Sequence, residues 1–375
     1  MELFDVYPLY DITPVSALGS WLTDNRGAKY LDLYGGHAVI SIGHTHPRFV
    51  ERITRQLQKL AFYSNSIQNP LQQQMADRLG ELSGCGDYRL FLCNSGAEAN
   101  ENALKLASFH TGRARVIAFH NSFHGRTSAA VAATDNPSIV APLNAGHAVT
   151  FLPLNREDLL EHELSKGDVC AVILEGIQGV GGLDMATPEF YEAASRLCDA
   201  HGSVLIADEV QCGFGRSGKF FAFQHTGARP GIISMAKGMG NGFPVGGILI
   251  RDDFKASYGL LGTTFGGNHL ACAAVSAVLE VIESEGLIAH SLEMEAHFRS
   301  RAAELPGILE VKGKGLMLGL VFDFEVAPLR KILIFDHHIF TGSAKNKHVL
   351  RVLPALNIKS VELDLLFDAL KKELA

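Results

Sequence analysis

Through the middle of the chain, short unbroken apolar runs alternate with longer stretches whose apolar residues recur every three or four positions. The runs fall at 89–93, 116–119, 149–152, 169–174, 203–207 and 232–236, most of them rich in β-branched residues and closed by glycine or a polar side chain. Such runs predict strands buried on both faces of a sheet. The clearest helix between them, 188–201, follows Thr187, a good N-cap, and stops at Gly202. Strand alternating with helix predicts an α/β fold built on a parallel sheet.

The flanks read differently. Pro47 opens a helix with Phe49, Ile53, Leu57 and Leu60 at helical spacing, and 71–82 carries Leu71, Met75, Leu79 and Leu82 on one face. Beyond Thr264-Phe265-Gly266-Gly267, helices are predicted at 268–284, closing near Gly286, and at 288–304. The tail holds strands near 316–324 and 348–353, a helix between them, and a last helix from Ser360. That last helix places Glu362 and Asp364 early and Lys371 and Lys372 late, as its dipole favours. Residues 1–45 are irregular apart from short strands near 20–21 and 30–33. The expected organisation is a large α/β domain at 46–267 and a smaller α+β domain made by 268–375 with the 1–45 segment.

Composition narrows the function classes. With 375 residues, 47% hydrophobic and 19% charged, the chain can build a sizeable core and is not a disordered protein. A net charge of −7 without a basic cluster argues against nucleic acid or an anionic membrane surface as partner. The start, M-E-L-F-D-V-Y-P, lacks the pattern of a signal peptide, and no apolar run is long enough to span a bilayer. Cys85, Cys93, Cys170, Cys198, Cys212 and Cys272 show neither a C-x-x-C pair nor regular spacing, which suits reduced core residues and a cytoplasmic location.

Two of the buried runs end on ionisable residues. The run 203–207 ends on Asp208 and the run 232–236 on Lys237, each followed by glycines. In open α/β sheets ligands bind beyond the carboxyl ends of the strands, where both charges fall. An Asp and a Lys so placed form either a buried salt bridge or a site for pyridoxal phosphate. That cofactor needs a lysine amine for a Schiff base and an acid beside its ring nitrogen. Cys93-Asn94-Ser95-Gly96-Ala97-Glu98 runs from a strand into a helix and offers a hydroxyl and free N–H groups to a phosphate, though a plain strand–helix junction reads the same way. Asn121-Ser122-Phe123-His124-Gly125-Arg126-Thr127 supplies an aromatic that can stack on a ring and an Arg that can hold a carboxylate. Arg351 is a second candidate carboxylate reader. Gly238-x-Gly240-x-Gly242 is a poor dinucleotide fingerprint, because Phe243-Pro244 interrupts the helix that should follow. There is no G-x-x-x-x-G-K-[ST] motif for a nucleotide triphosphate. His44 and His46 have no third ligand at recognisable spacing, so they read as structural and no metal is expected.

Taken together, these motifs resemble the class III (ω-amino acid) aminotransferases of pyridoxal phosphate fold type I, and among them the acetylornithine aminotransferases. The resemblance runs through Tyr30-Leu31-Asp32, Gly43-His44-x-His46-Pro47, Asn94-Ser95-Gly96-Ala97-Glu98-Ala99-Asn100-Glu101 and Phe123-His124-Gly125-Arg126-Thr127. It continues through Asp208-Glu209-Val210-Gln211-x-Gly213-x-Gly215-Arg216-x-Gly218, Ala236-Lys237 and Thr264-Phe265-Gly266-Gly267-Asn268. It implies a mainly parallel seven-stranded sheet flanked by helices, with pyridoxal 5'-phosphate as cofactor. By resemblance Lys237 would carry the cofactor and Asp208 its ring nitrogen. Gln211 would bond the ring hydroxyl, with Val210 beneath the ring and Phe123 above it. Ser95, Gly96 and Ala97 would hold the phosphate, and Thr264 would reach it from the neighbouring subunit of a homodimer. Arg126 would take the α-carboxylate of the acylated ornithine and Arg351 that of glutamate.

The implied reaction is ping-pong transamination between N-acylornithine and 2-oxoglutarate, on a route to arginine. Relatives read E-P-I-Q-G-E where this chain has Glu175-Gly176-Ile177-Gln178-Gly179-Val180, so the second Glu, which would pair with Arg351, is missing. Asn268-His269 and Arg229-Pro230-Gly231 depart from the usual N-P and P-D without touching the chemical groups. Gly36-His37 stands where Gly-Ile is usual, in a region that lines the substrate mouth, which keeps N-succinylornithine open beside N-acetylornithine. Another ω-aminotransferase acting on ornithine, 4-aminobutyrate or a diamine is the rival within the same chemistry. A binding protein that kept the fold without turnover is the rival outside it.

Overall fold

The computed structural model describes residues 1–374. Its centre is a seven-stranded sheet made by β1 (Arg89–Cys93), β2 (Arg115–Phe119), β3 (Val149–Leu152), β4 (Val169–Glu175), β5 (Val204–Asp208), β6 (Ile232–Met235) and β7 (Gly246–Ile250). The spatial order is β1-β7-β6-β5-β4-β2-β3. From β6 across to β3 the pairs are parallel, while β7 runs antiparallel to both β6 and β1. Every residue of β4, β5 and β6 is buried, which explains their unbroken apolar sequences. Each such Val, Leu or Ile removed from water contributes about 1.5–3 kcal/mol.

Helices cover the sheet, among them the two that the Ser95 motif and the Thr187 and Gly202 caps predicted. α1 (Gly96–Thr111) leaves β1 and packs across β7, β6 and β4, burying Ala99, Ala103, Leu104, Leu106 and Ala107. α2 (Pro188–His201) is capped by Thr187, whose hydroxyl accepts from Phe190 N–H, and ends on Gly202 at φ 61°. Helices His269–Ser284 and Leu287–Ala303 follow, and Ser360–Glu373 ends the described chain.

Two four-stranded sheets flank this centre. Pro14–Leu18, Trp21–Asp24 and Lys29–Asp32 form a meander whose last strand pairs in parallel with Ile339–Phe340. Glu310–Lys314, Met317–Val321, Val349–Val352 and Gly342–Ser343 form the other. Arg216 stitches the N-terminal segment to the tail. Its buried guanidinium donates to the carbonyls of Ile40, Leu316 and Pro354.

Several elements differ from the sequence pattern. β7 begins in Gly246-Gly247, which read as a glycine break, and the antiparallel strand was hidden by residues of low strand propensity. Glu310–Lys314 was hidden likewise, its lysines and Gly313 masking a half-buried strand. The helix after His46 forms at Pro47–Leu57, yet none of its residues is buried, and Leu57 (58% exposed) and Leu60 (43%) lie uncovered. Within the irregular N-terminal segment, Gly35, Gly36, His37 and Ala38 make a left-handed turn with φ of 56°, 56°, 69° and 61°. At the two residues with a Cβ that conformation costs roughly 1–2 kcal/mol each.

Candidate active site

Parallel register sets the site's chemistry at adjacent strand ends. Glu175 at the end of β4 lies beside Asp208 at the end of β5, which lies beside Ser234 near the end of β6. Ala236 and Lys237 follow β6, with Lys237 held at φ 46° in a short 3-10 turn. Because that turn ends at Met239, no dinucleotide-type helix starts there. A cavity of about 340 Å³ opens at these strand ends, lined by Ser95, Gly96, Ala97, Phe123, Asp208, Val210, Gln211 and Lys237 among others. All the cofactor residues expected on one chain therefore converge, from four separate stretches of sequence.

Asp208 is buried and fully engaged. Oδ2 accepts from His124 Nδ1 at 2.7 Å and from Asn100 Nδ2 at 2.8 Å, while Oδ1 accepts from Val210 N–H at 3.1 Å. Lys237 is the opposite case. Burial pulls its pKa below the ordinary lysine value, with Asp208 the first of the charges opposing that shift. An amine so shifted is closer to its free-base form at neutral pH. Burial likewise pushes the Glu175 carboxyl up, although Phe123 N–H and Gly179 N–H bond it at 2.9 and 3.1 Å.

The first turn of α1 forms another wall of the cavity. Ser95 is its N-cap, with Oγ accepting from Glu98 N–H at 3.1 Å, which leaves the N–H groups of Gly96 and Ala97 at the helix start. Gly96 is glycine because a Cβ there would come within 2.5 Å of Val210 Cγ1. Pyridoxal phosphate fits these residues. Gln211 lines the cavity, donates Nε2 to His37 O at 3.0 Å, and keeps a buried Oε1 with no partner among the described residues, a free acceptor that a ring hydroxyl can use.

The remaining predicted residues lie further out. Arg126 is exposed at the rim of the cavity. Arg351 is buried behind Gly179 and does not line the cavity, whereas Val180 does. Thr264 is exposed and does not line its own chain's cavity. His44 and His46 bond separate carboxylates, Asp32 at 2.8 Å and Glu285 at 3.0 Å. Sequence reasoning gave no role to Asn100, His124 or Glu175, although each stood inside a recognised motif. Asn100 lies about one helical turn after Gly96, and that spacing was the available signal that it faces the same site.

A parallel sheet with Lys and Asp at neighbouring strand ends, a helix N-terminus opposite and a cavity between them defines a cofactor-dependent α/β enzyme. The family model for aminotransferase class-III matches residues 6–374. The acetylornithine aminotransferase of Bacillus subtilis is 39% identical, the match covering 100% of this chain and 98% of that protein. The one from Methanocaldococcus jannaschii is 37% identical, covering 97% and 94%. Among solved structures, ornithine aminotransferase from Toxoplasma gondii superposes with a TM-score of 0.91 at 27% identity, covering 98% of this chain and 91% of that one. Acetylornithine aminotransferase from Elizabethkingia anophelis gives 0.85 at 29%, covering 98% and 95%. The chain belongs to the class III aminotransferases. It is a pyridoxal-phosphate-dependent aminotransferase.

Proposed function

We propose that the chain transfers the terminal amino group of an N2-acyl-L-ornithine to 2-oxoglutarate, giving N-acyl-L-glutamate 5-semialdehyde and L-glutamate on a route to arginine. N-acetylornithine is the favoured donor and N-succinylornithine the alternative. The observation that carries this reading is the 39% identity to an acetylornithine aminotransferase across essentially both whole chains, with the cofactor residues expected on one chain lining one cavity.

In this reading pyridoxal phosphate supplies the electron sink for the carbon that loses its proton. Ser95, Gly96 and Ala97 hold the phosphate with a hydroxyl and helix-start N–H groups. Asp208, fixed by His124, Asn100 and the Val210 N–H, keeps a carboxylate against the ring nitrogen. Val210 and Phe123 would hold the ring between them, and Gln211 Oε1 would be free to bond its hydroxyl. Lys237 would hold the cofactor, and its amine would be the general base that takes the proton from the substrate carbon. Arg126 binds the α-carboxylate of the acylated ornithine and Arg351 that of glutamate, each through paired N–H donors.

The domain division belongs to the same proposal, with 46–267 as the cofactor domain and 1–45 with 268–375 as the smaller one. So does the homodimer. Leu57, Leu60, Tyr63, Ile67 and Phe265 leave apolar surface uncovered, which suits burial against a second copy. Thr264, exposed beside them, then reaches the partner's phosphate site. A cytoplasmic location is supported by six cysteines that are all free and buried.

Amine-donor profiling with 2-oxoglutarate tests the assignment. The expected order of kcat/KM puts N-acetyl- or N-succinylornithine above free ornithine, 4-aminobutyrate and diamines. A preference for free ornithine or 4-aminobutyrate would overturn it in favour of another ω-aminotransferase.

A further inference from the structure

Arg351 is a buried cation to which no acid among the described residues is bonded. Only 4% exposed, it donates to three neutral oxygens. Nε goes to Ser343 O at 2.5 Å, Nη1 to Gly179 O at 2.7 Å, and Nη2 to Tyr34 Oη at 3.0 Å. Two of these acceptors are backbone and cannot leave without moving the fold. The third is a side chain.

Tyr34 sits in a built place. Its ring centroid is 5.5 Å from the Arg351 guanidinium carbon. The ring lies against Gly342, where a Cβ would come within 2.2 Å of Tyr34 Cε2, and Gly342 pairs with Arg351 across the sheet. On the far side, Tyr34 Oη is 2.6 Å from His37 Nδ1. We assign the phenol proton to His37 Nδ1, the direction in which Tyr34 accepts from Arg351 and donates onward; the His37 ring then carries its hydrogen on Nε2. Burial first, then Arg351 and Lys237, lower the His37 pKa and favour that neutral ring. His37 is kept there by the left-handed turn and by Gln211, which bonds its carbonyl.

Resting on the reading of Arg351 as the carboxylate reader of the oxo-acid half-reaction, we propose that Tyr34 is a second carboxylate-binding residue of that subsite. With the subsite empty, the Tyr34 hydroxyl bonds His37 and occupies Arg351 Nη2. When a dicarboxylic oxo acid arrives, the phenol turns its proton from His37 Nδ1 to the carboxylate, and Arg351 exchanges a phenol for an anion. The placeholder at Arg351 is thus neutral. It yields without separating a carboxylate from the guanidinium, which a glutamate at position 180 would require.

The test compares Tyr34→Phe, which keeps the ring on Gly342, with Arg351→Ala in the holoenzyme. Binding of glutarate, a dicarboxylate with no oxo group to react, is measured by calorimetry, and both half-reactions are followed in single turnover. Tyr34→Phe is expected to weaken glutarate about tenfold, the loss of one hydrogen bond to a charged group. It should slow the 2-oxoglutarate half-reaction more than the amine-donor half-reaction. If Arg351→Ala weakens glutarate but Tyr34→Phe binds it as the wild type does, the proposal is overturned and the reading of Arg351 stands. If neither variant changes glutarate binding, the reading of Arg351 falls and the proposal with it.

Discussion

Asp208 and Arg351 are both buried charged side chains within reach of one active site, yet they are treated in opposite ways. Asp208 has an imidazole, an amide and a backbone N–H on its two oxygens. Arg351 has two carbonyls and a phenol. A carboxylate meant to stay against a resident ring profits from rigid donors supplied by the chain. A guanidinium meant to receive a transient anion profits from partners that surrender it. On the proposed assignment, the cofactor half of the site is finished by the polypeptide, and the substrate half is left for the substrate to finish.

That contrast can be broken at either end. The largest effect is expected at the amine between the two halves. Lys237→Ala should lower the rate of each half-reaction by at least about 10²–10⁴-fold, the usual contribution of a positioned general base, as read by single-turnover kinetics. Next, His124→Ala removes a buried donor from Asp208 and should cost about 1–3 kcal/mol of stability in denaturant unfolding, with weaker cofactor retention on dialysis. The smallest change sharpens the contrast instead. Val180→Glu gives Arg351 an in-chain acid, and the ratio of kcat/KM for the two half-reactions should shift against 2-oxoglutarate. An unchanged ratio would refute the idea that the missing acid sets discrimination.

How much of this could be read from the chain depended on whether local or distant residues decided the outcome. β4, β5 and β6 were legible because both faces are buried, which favours apolar residues along nearly their whole length; Glu175, Asp208 and Ser234 are the exceptions, at or near the ends where the site lies. The places of Lys237 and Asp208 were legible because each closes an apolar run at a strand end, although a buried salt bridge would read the same way from that stretch alone. β7 was not, because its glycines follow from a close approach by neighbouring segments that no local pattern announces. The Asp208 clamp joins residues 84 and 108 positions apart, and the residue types alone do not say which histidine or asparagine arrives there. Arg351 was expected as a carboxylate reader, but Tyr34, 317 positions away, carries no signal of its partnership. Leu57 and Leu60 obeyed helical spacing and still face outward, since periodicity reports that an apolar face exists and not which body covers it.

The parallel pairing of Lys29–Asp32 with Ile339–Phe340 has a bearing on how the protein is made. A ribosome releases the first of these strands roughly a minute or less before the second at ~5–20 residues per second, and through that interval the early strand has no permanent neighbour on that edge. The meander at the amino end therefore waits, half finished, while the seven-stranded centre assembles, and nascent chains stalled short of residue 339 would carry it as an open edge. Vulnerability to misassembly during synthesis is thus concentrated at the oldest part of the chain rather than the newest.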